Sequence, residues 1–205
     1  MNYSQLATKP STEKTKLALQ KKGYHVTVVP DRESAFAHVV SLIPSGASVM
    51  NGSSVTLEQI GFVEHLKNGK HGWKNLHADI VTEQNEEKKA KLRQEALHSE
   101  YYIGSVHALT ETGDYIVASN TSSQLPHIVY TSQNIVLVVS TKKIVPDLSS
   151  GLQRIEEYIV PLEDQHMQEL YKVGTELNKI VIVKAESSMM SRQIHFVLVE
   201  ELLGF

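Results

Sequence analysis

The sequence predicts an α/β protein built on a largely parallel sheet. Two observations carry that expectation. Helical and strand-like patterns alternate through the first third of the chain, as strands joined by helical crossovers require. Further on, "IVLVVS" (Ile135–Ser140) is apolar at nearly every position, the pattern of a central strand covered on both faces.

The elements follow in order. From Ser11 to Lys22 the composition favours helix, with Glu13, Leu17, Ala18 and Leu19 set among lysines, and Gly23 is placed to stop it. "YHVTVVP" (Tyr24–Pro30) is rich in β-branched residues and closed by proline, which reads as a strand. Asp31 suits an N-cap. Phe36, Val39, Val40 and Ile43 then recur at helical spacing. Pro44-Ser45-Gly46 breaks this helix, Ala47–Asn51 is a second short strand, and another helix begins near Thr56. Residues 64–81 read as a loop with a short strand near Ile80. Residues 83–102 hold a charged helix with Leu92, Ala96 and Leu97 on its buried stripe. Residues 104–119 read as a hairpin turning at Thr112-Gly113-Asp114. Leu148, Leu152, Ile155 and Ile159 mark a helix capped by Asp147 or Ser149. "KIVIVK" and "IHFVLVEELLGF" close the chain as strand-like segments. No linker composition appears, so one domain over 1–205 is expected, with residues 1–22 a helical N-terminal segment.

Composition narrows the function classes. With 205 residues and 41% hydrophobic side chains, the chain has enough apolar material for a sizeable core. A formal charge of −3 gives no general basic surface for nucleic acid. The sequence contains no cysteine. That excludes a disulfide framework, a cysteine nucleophile and a cysteine-ligated iron–sulfur cluster. The opening residues lack the apolar core of a signal peptide, and no apolar run reaches the roughly 20 residues of a membrane helix. A cytoplasmic protein without membrane contact is the simplest expectation. Ten histidines invite a metal site, yet His65, His71, His77 and Asp79 match no ligand spacing, and no metal or cofactor is expected.

Two stretches carry candidate chemistry. "VMNGSSVTLEQIG" runs from a strand through Gly52, Ser53 and Ser54 into a helix at Thr56. Backbone N–H groups at a helix start, a glycine that lets a ligand approach and hydroxyl donors suit a phosphate or carboxylate. A capped turn fits the same residues, with Thr56 and Gln59 as a capping box and Ser54 satisfying another amide. The stretch lacks the lysine of a phosphate-binding Walker loop and the glycines of a dinucleotide fingerprint. The second stretch joins Glu111, Thr112 and Gly113 at the hairpin to a polar loop of Ser119, Asn120, Thr121, Ser122, Ser123 and Gln124. Loops at strand carboxyl ends gather ligands in α/β sheets, although a solvated loop has the same composition. Lys142 and Lys143 follow the buried strand, where they could meet an anion, and Lys142 is the candidate site residue of the two.

Five segments in order, "MNGSSVTLEQIGF", "GKHGWKNLHADI", "GSVHALTETGDYIVASNTSSQLP", "VVSTKKIVPDL" and "IHFVLVEELLGF", together resemble the LUD-domain family, the lactate-utilisation proteins. The resemblance runs from about Thr12 to Phe205. It implies the three-layer α/β/α fold shared by phosphosugar isomerases, glucosamine-phosphate deaminases, CoA-transferases and formyltetrahydrofolate cyclo-ligases. Such proteins bind phosphate or carboxylate groups at strand–helix turns. Better-studied relatives oxidise L-lactate to pyruvate with iron–sulfur partner proteins. Some carry cysteine motifs that this chain lacks, so partners would hold the redox centres. The implied role is a non-redox component of lactate or related hydroxy-acid utilisation that binds an anionic metabolite. CoA-transferases of this fold place a catalytic glutamate in a Ser-Glu-Asn-Gly setting, which Thr110-Glu111-Thr112-Gly113 loosely resembles. By that analogy Glu111 would attack an acyl thioester as a CoA-transferase-like or related enzyme. A non-catalytic anion-sensing domain is the third reading. The partners implied are a phosphate, carboxylate or CoA ester, iron–sulfur proteins and a second copy of the chain, although no sequence signal marks an interface.

Overall fold

The computed structural model describes residues 2–205, so Met1 of the expected N-terminal segment lies outside the described residues. The first half of the chain runs α1 (Lys9–Lys21), β1 (His25–Val29), α2 (Arg32–Leu42), β2 (Ser48–Asn51), α3 (Val55–Gln59), α4 (Phe62–Lys67), β3 (Lys74–Asn75), α5 (Leu76–Thr82), α6 (Glu86–Ala96) and β4 (Tyr101–Gly104). The second half continues with β5 (Ala108–Thr110), β6 (Tyr115–Ser119), β7 (Asn134–Ser140), β8 (Ile144–Val145), α7 (Leu148–Arg154), α8 (Val160–Tyr171), β9 (Lys179–Val183) and β10 (Gln193–Val199). Single turns lie between: π-helical at His127–Thr131 and Ile155–Ile159, 3-10 at Thr141–Lys143 and Ser188–Met190.

Six strands form a parallel sheet in the order β1-β10-β7-β4-β2-β3. Its centre follows from period-2 side-chain alternation. From β7, Val136 and Val138 enter a core shared with Ala35 and Val39 of α2, Leu57 of α3 and Phe62 and Leu66 of α4. Ile135, Leu137 and Val139 point to the other face, against Leu19 of α1, Leu109 of β5 and Tyr115 and Val117 of β6. Strand β10 repeats the pattern, with Val197 and Val199 on one face and Ile194, Phe196 and Leu198 on the other. The α/β architecture with a mainly parallel central sheet flanked by helices is therefore present.

A second sheet adds to that expectation. Strands β8-β5-β6-β9 form it, with β5 and β6 antiparallel through the hairpin and β9 antiparallel to β6. One face packs on the parallel sheet. The other packs Ala108, Ile116, Ala118 and Val145 against Ile155 and Ile159.

Local chemistry sets the element ends. Thr8 accepts from Ser11 N–H at 3.3 Å to start α1. Asp31 accepts from Ser34 N–H at 2.8 Å to start α2, and Asp147 from Ser150 N–H at 2.8 Å to start α7. Gly113 turns the β5–β6 hairpin at φ 78°, with Ala18 and Leu19 of α1 pressed against its open side. The strand expected near Ile80 is instead helical: Asn75 accepts from Ala78 N–H at 3.1 Å and starts α5, while only Lys74–Asn75 pairs with β2. In the π turn after α7, Val160 N–H donates to the carbonyl of Ile155, five residues back. Pro161 has no N–H to continue a tighter ladder.

Leu137 sits at the centre of β7 with no exposed surface. Leu137→Ala should cost about 2–5 kcal/mol in urea denaturation through lost burial and the remaining cavity. Leu170→Ala, at a side chain 57% exposed, should stay within about 0.5 kcal/mol.

Candidate functional site

Parallel strands bring their carboxyl ends to one side, and a cavity of about 330 Å³ opens there. Gly52, Ser53, Ser54 and Thr56 beyond β2 form one wall. Gly104 at the end of β4, with Ser105 and His107 beyond it, forms the next, and Ser119 at the end of β6, with Asn120, Thr121, Ser123 and Gln124 beyond it, a third. Ile159, Val160, Glu163, His166 and Met167 close it from the π turn and α8, and Gly204 and Phe205 from the closing segment. Two polar stretches far apart in the chain thus share one cavity.

Lys143 lies at the base, 4% exposed. Its Nζ is 3.0 Å from Thr56 Oγ1 and 3.1 Å from Ser105 Oγ. Ser105 Oγ donates to the carbonyl of Val138 at 2.7 Å, so it presents a lone pair to the lysine. Among the described residues no carboxylate lies within ion-pair distance of Lys143. Burial first, and then the Arg154 and Lys142 cations, hold its ammonium well below the usual lysine range. Gly204 presses on the same spot. A Cβ there would collide with Thr56 Oγ1 and stand 3.0 Å from Lys143 Nζ, on a backbone with φ 65°.

Neighbouring groups respond to this charge. Burial, followed by Lys143 and Arg154, pushes His107 down to about 3, so its imidazole is neutral. His107 Nδ1 accepts from Ala118 N–H at 3.1 Å, which puts the ring proton on Nε2. Arg154, fully buried, donates from Nη1 to the carbonyl of His107 at 2.5 Å. Its guanidinium lies 5.3 Å and 5.7 Å from the Tyr158 and Tyr3 ring centres. Burial lowers Arg154 to about 10.

The strand–helix turn has a specific local logic. Ser54 caps α3, accepting from Leu57 N–H at 3.4 Å, and Thr56 lies inside the helix facing Lys143. The capping box expected from Thr56 and Gln59 is absent. Gln59 Oε1 instead accepts from Gly204 N–H at 2.6 Å. Gly52 leaves room for Tyr102, whose hydroxyl would stand 2.8 Å from a Cβ at that position. In the polar loop, Ser119 Oγ accepts from Ser122 N–H at 2.9 Å and Gln124 Nε2 donates to the carbonyl of Ala118 at 3.2 Å. Asn120 Oδ1 accepts from Asn178 Nδ2 at 2.8 Å, and Thr121 is exposed at the rim.

Other candidates lie elsewhere. Glu111 accepts from Ser11 Oγ at 2.6 Å and Lys14 Nζ at 2.7 Å, and these bonds hold its carboxyl below the usual range. It lines a separate cleft with Lys142, whose Nζ donates to the carbonyl of Gly204. Thr112 bonds to Thr110 within the hairpin, Gly113 packs on α1, and Ser122, at φ 71°, does not line the cavity. Sequence reasoning misses Ser105 and His107, and it names Lys143 only beside Lys142, the lysine it prefers. The available signal was Gly104-Ser105 after a strand, a repeat of the Gly52-Ser53 pattern.

A family model of the LUD domain matches residues 12–199. The chain belongs to the LUD-domain family. Membership relates this LUD-domain protein to lactate utilisation. A crystal structure of a DUF162 family protein from Deinococcus radiodurans is similar to it with TM-score 0.59 and 10% sequence identity, covering 95% of this chain and 99% of that one. At such identity the likeness concerns the fold alone. No curated protein matches the LUD chain. Among the described residues of the LUD chain, no helix is long and apolar enough to cross a membrane.

An ammonium buried without a carboxylate costs stability, so Lys143→Met should stabilise the empty protein by about 1 kcal/mol or more at neutral pH. The sign with pH is fixed by linkage. The unfolded lysine holds its proton up to about 10.4, the folded one releases it earlier, and wild-type stability rises with pH across that window. Urea denaturation from neutral to alkaline pH should show the gap between variant and wild type closing as pH rises.

Proposed function

We propose that this LUD-domain protein is a non-redox component of lactate or related hydroxy-acid utilisation that holds a small carboxylate metabolite over Lys143. The observation that carries this reading is the buried lysine itself. Its partners in the cavity are two hydroxyls, and an entering anion supplies the missing counter-charge. The volume of about 330 Å³ suits a small metabolite. Neutral hydroxyls and amides from Ser53, Thr121 and Gln124 add hydrogen-bonding capacity without competing charge. Glu163 and Glu176 are the cavity's acidic groups, and His166 lies 3.5 Å from Glu163. A chain without cysteine leaves electron transfer to iron–sulfur partner proteins. Glu111, engaged by Ser11 and Lys14 outside the cavity, has no part in this reading.

Isothermal titration with lactate, pyruvate, inorganic phosphate and acetyl-CoA tests it. Carboxylates should bind saturably, with proton uptake seen as a heat that depends on the buffer's ionisation enthalpy. Binding stays constant below the lowered pKa of the empty site and weakens as pH rises through it, because the anion favours protonated Lys143. Lys143→Met should lose about 10–100-fold in affinity, the worth of a charge-assisted hydrogen bond. Glu111→Gln should bind as wild type does. Unchanged carboxylate affinity in Lys143→Met overturns the reading.

A further inference from the structure

We propose that Lys143 is a nucleophilic amine that condenses with the carbonyl of a small 2-oxo carboxylate held in the cavity, forming an imine. The inference rests on the carboxylate reading above and names the reactive member of that ligand class: the ammonium form holds the entering carboxylate, and the unprotonated fraction, which the surroundings of Nζ enlarge, attacks its 2-oxo carbon. An amine becomes a nucleophile when its surroundings favour the uncharged form and leave its lone pair accessible. Both conditions are met at Lys143. Ser105, its proton committed to the carbonyl of Val138, can only accept from Nζ. Thr56 Oγ1, 3.0 Å away, also accepts from Nζ, so a neutral amine spends its two N–H bonds on Ser105 and Thr56 and keeps its lone pair for the cavity that Lys143 lines. The cations Lys142 and Arg154 disfavour a third positive charge beside them, and burial acts in the same direction.

The walls suit the chemistry that follows attack. The Nζ lone pair bonds to the carbonyl carbon, and an amine proton passes to the carbonyl oxygen, giving a carbinolamine. That hydroxyl then leaves with the second amine proton as one water, and the C=N bond remains. Ile159 and Val160 make one side of the cavity apolar, which favours loss of water over its return. His107, neutral with its proton on Nε2, lines the cavity as a donor suited to the carbonyl oxygen. Lactate has no ketone at its second carbon and can bind without condensing. The site therefore distinguishes a 2-hydroxy acid from its 2-oxo counterpart by a covalent bond.

Reductive trapping tests this directly. Folded wild-type protein is incubated with pyruvate and cyanoborohydride, then mapped by peptide mass spectrometry, with pyruvate and lactate binding measured in parallel by calorimetry. The expected result is a carboxyethyl group confined to Lys143, absent with lactate and absent when the protein is unfolded in urea before reduction. Lys143→Arg should lose the label while still binding carboxylate, and the wild-type map stands alone should that variant not fold. Pyruvate that binds while Lys143 stays unmodified, or is modified no more than exposed Lys91, overturns the imine and leaves the carboxylate site standing. Absence of both binding and label overturns the two together.

Discussion

A sheet buried on both faces can meet polar chemistry only where its strands stop. Within the ladder the backbone groups of β7 and β10 are paired, and from Ile135 to Val139 and from Phe196 to Val199 the side chains are apolar on either side. Strands β7, β4 and β2 are neighbours and run parallel, so their ends reach one level. Thr141–Lys143, Ser105 and Gly52–Thr56 arrive there together from three distant parts of the chain. The antiparallel strand β6 of the second sheet contributes the Ser119–Gln124 loop from across the gap. The cavity is a product of topology before it is a product of any single motif.

What distinguishes this cavity is the way its charge is kept. A buried charge is ordinarily neutralised by its opposite, and elsewhere this chain does so: buried Asp114 takes Lys22 and Lys184, both at 2.6 Å, and stays ionised despite a burial that opposes it. Around Lys143 the same fold supplies hydroxyls and further cations. Such an arrangement works against stability, as sites that act on ligands commonly do. Arg154 repeats the theme one layer deeper. Its Nε and Nη2 have no partner among the described residues, and aromatic faces stand where acids would be expected.

Much of this was legible in the residues, for local reasons. Asp31 before a helical apolar spacing marked α2, and the uninterrupted apolar run marked β7. The hairpin at Gly113 was legible because a left-handed turn has few residue solutions. Gly52–Thr56 and Ser119–Thr121 were recognisable as small polar residues after strands. The misses are long-range or geometric. Whether "KIVIVK" joins the parallel sheet or a second one is decided by partners more than fifty residues away, not by its own alternation. Lys142 and Lys143 were indistinguishable as letters. The 3-10 turn separates successive side chains by about 120°. One lysine therefore enters the cavity while the other crosses to Gly204. Gly52 lines the cavity, and the space a side chain would fill there is taken by the Tyr102 hydroxyl, a packing reason for glycine that the sequence does not display.

The position of β10 carries a consequence for biogenesis. It lies between β1 and β7, pairing in parallel with both, although it follows them by well over a hundred residues in one case and more than fifty in the other. While residues 193–199 remain inside the ribosome, β1 and β7 each present an open edge beside exposed valine and leucine side chains. A nascent chain of this topology cannot complete its middle until the last of its strands has emerged. An interruption of translation in that interval leaves both edges as templates for intermolecular strand pairing.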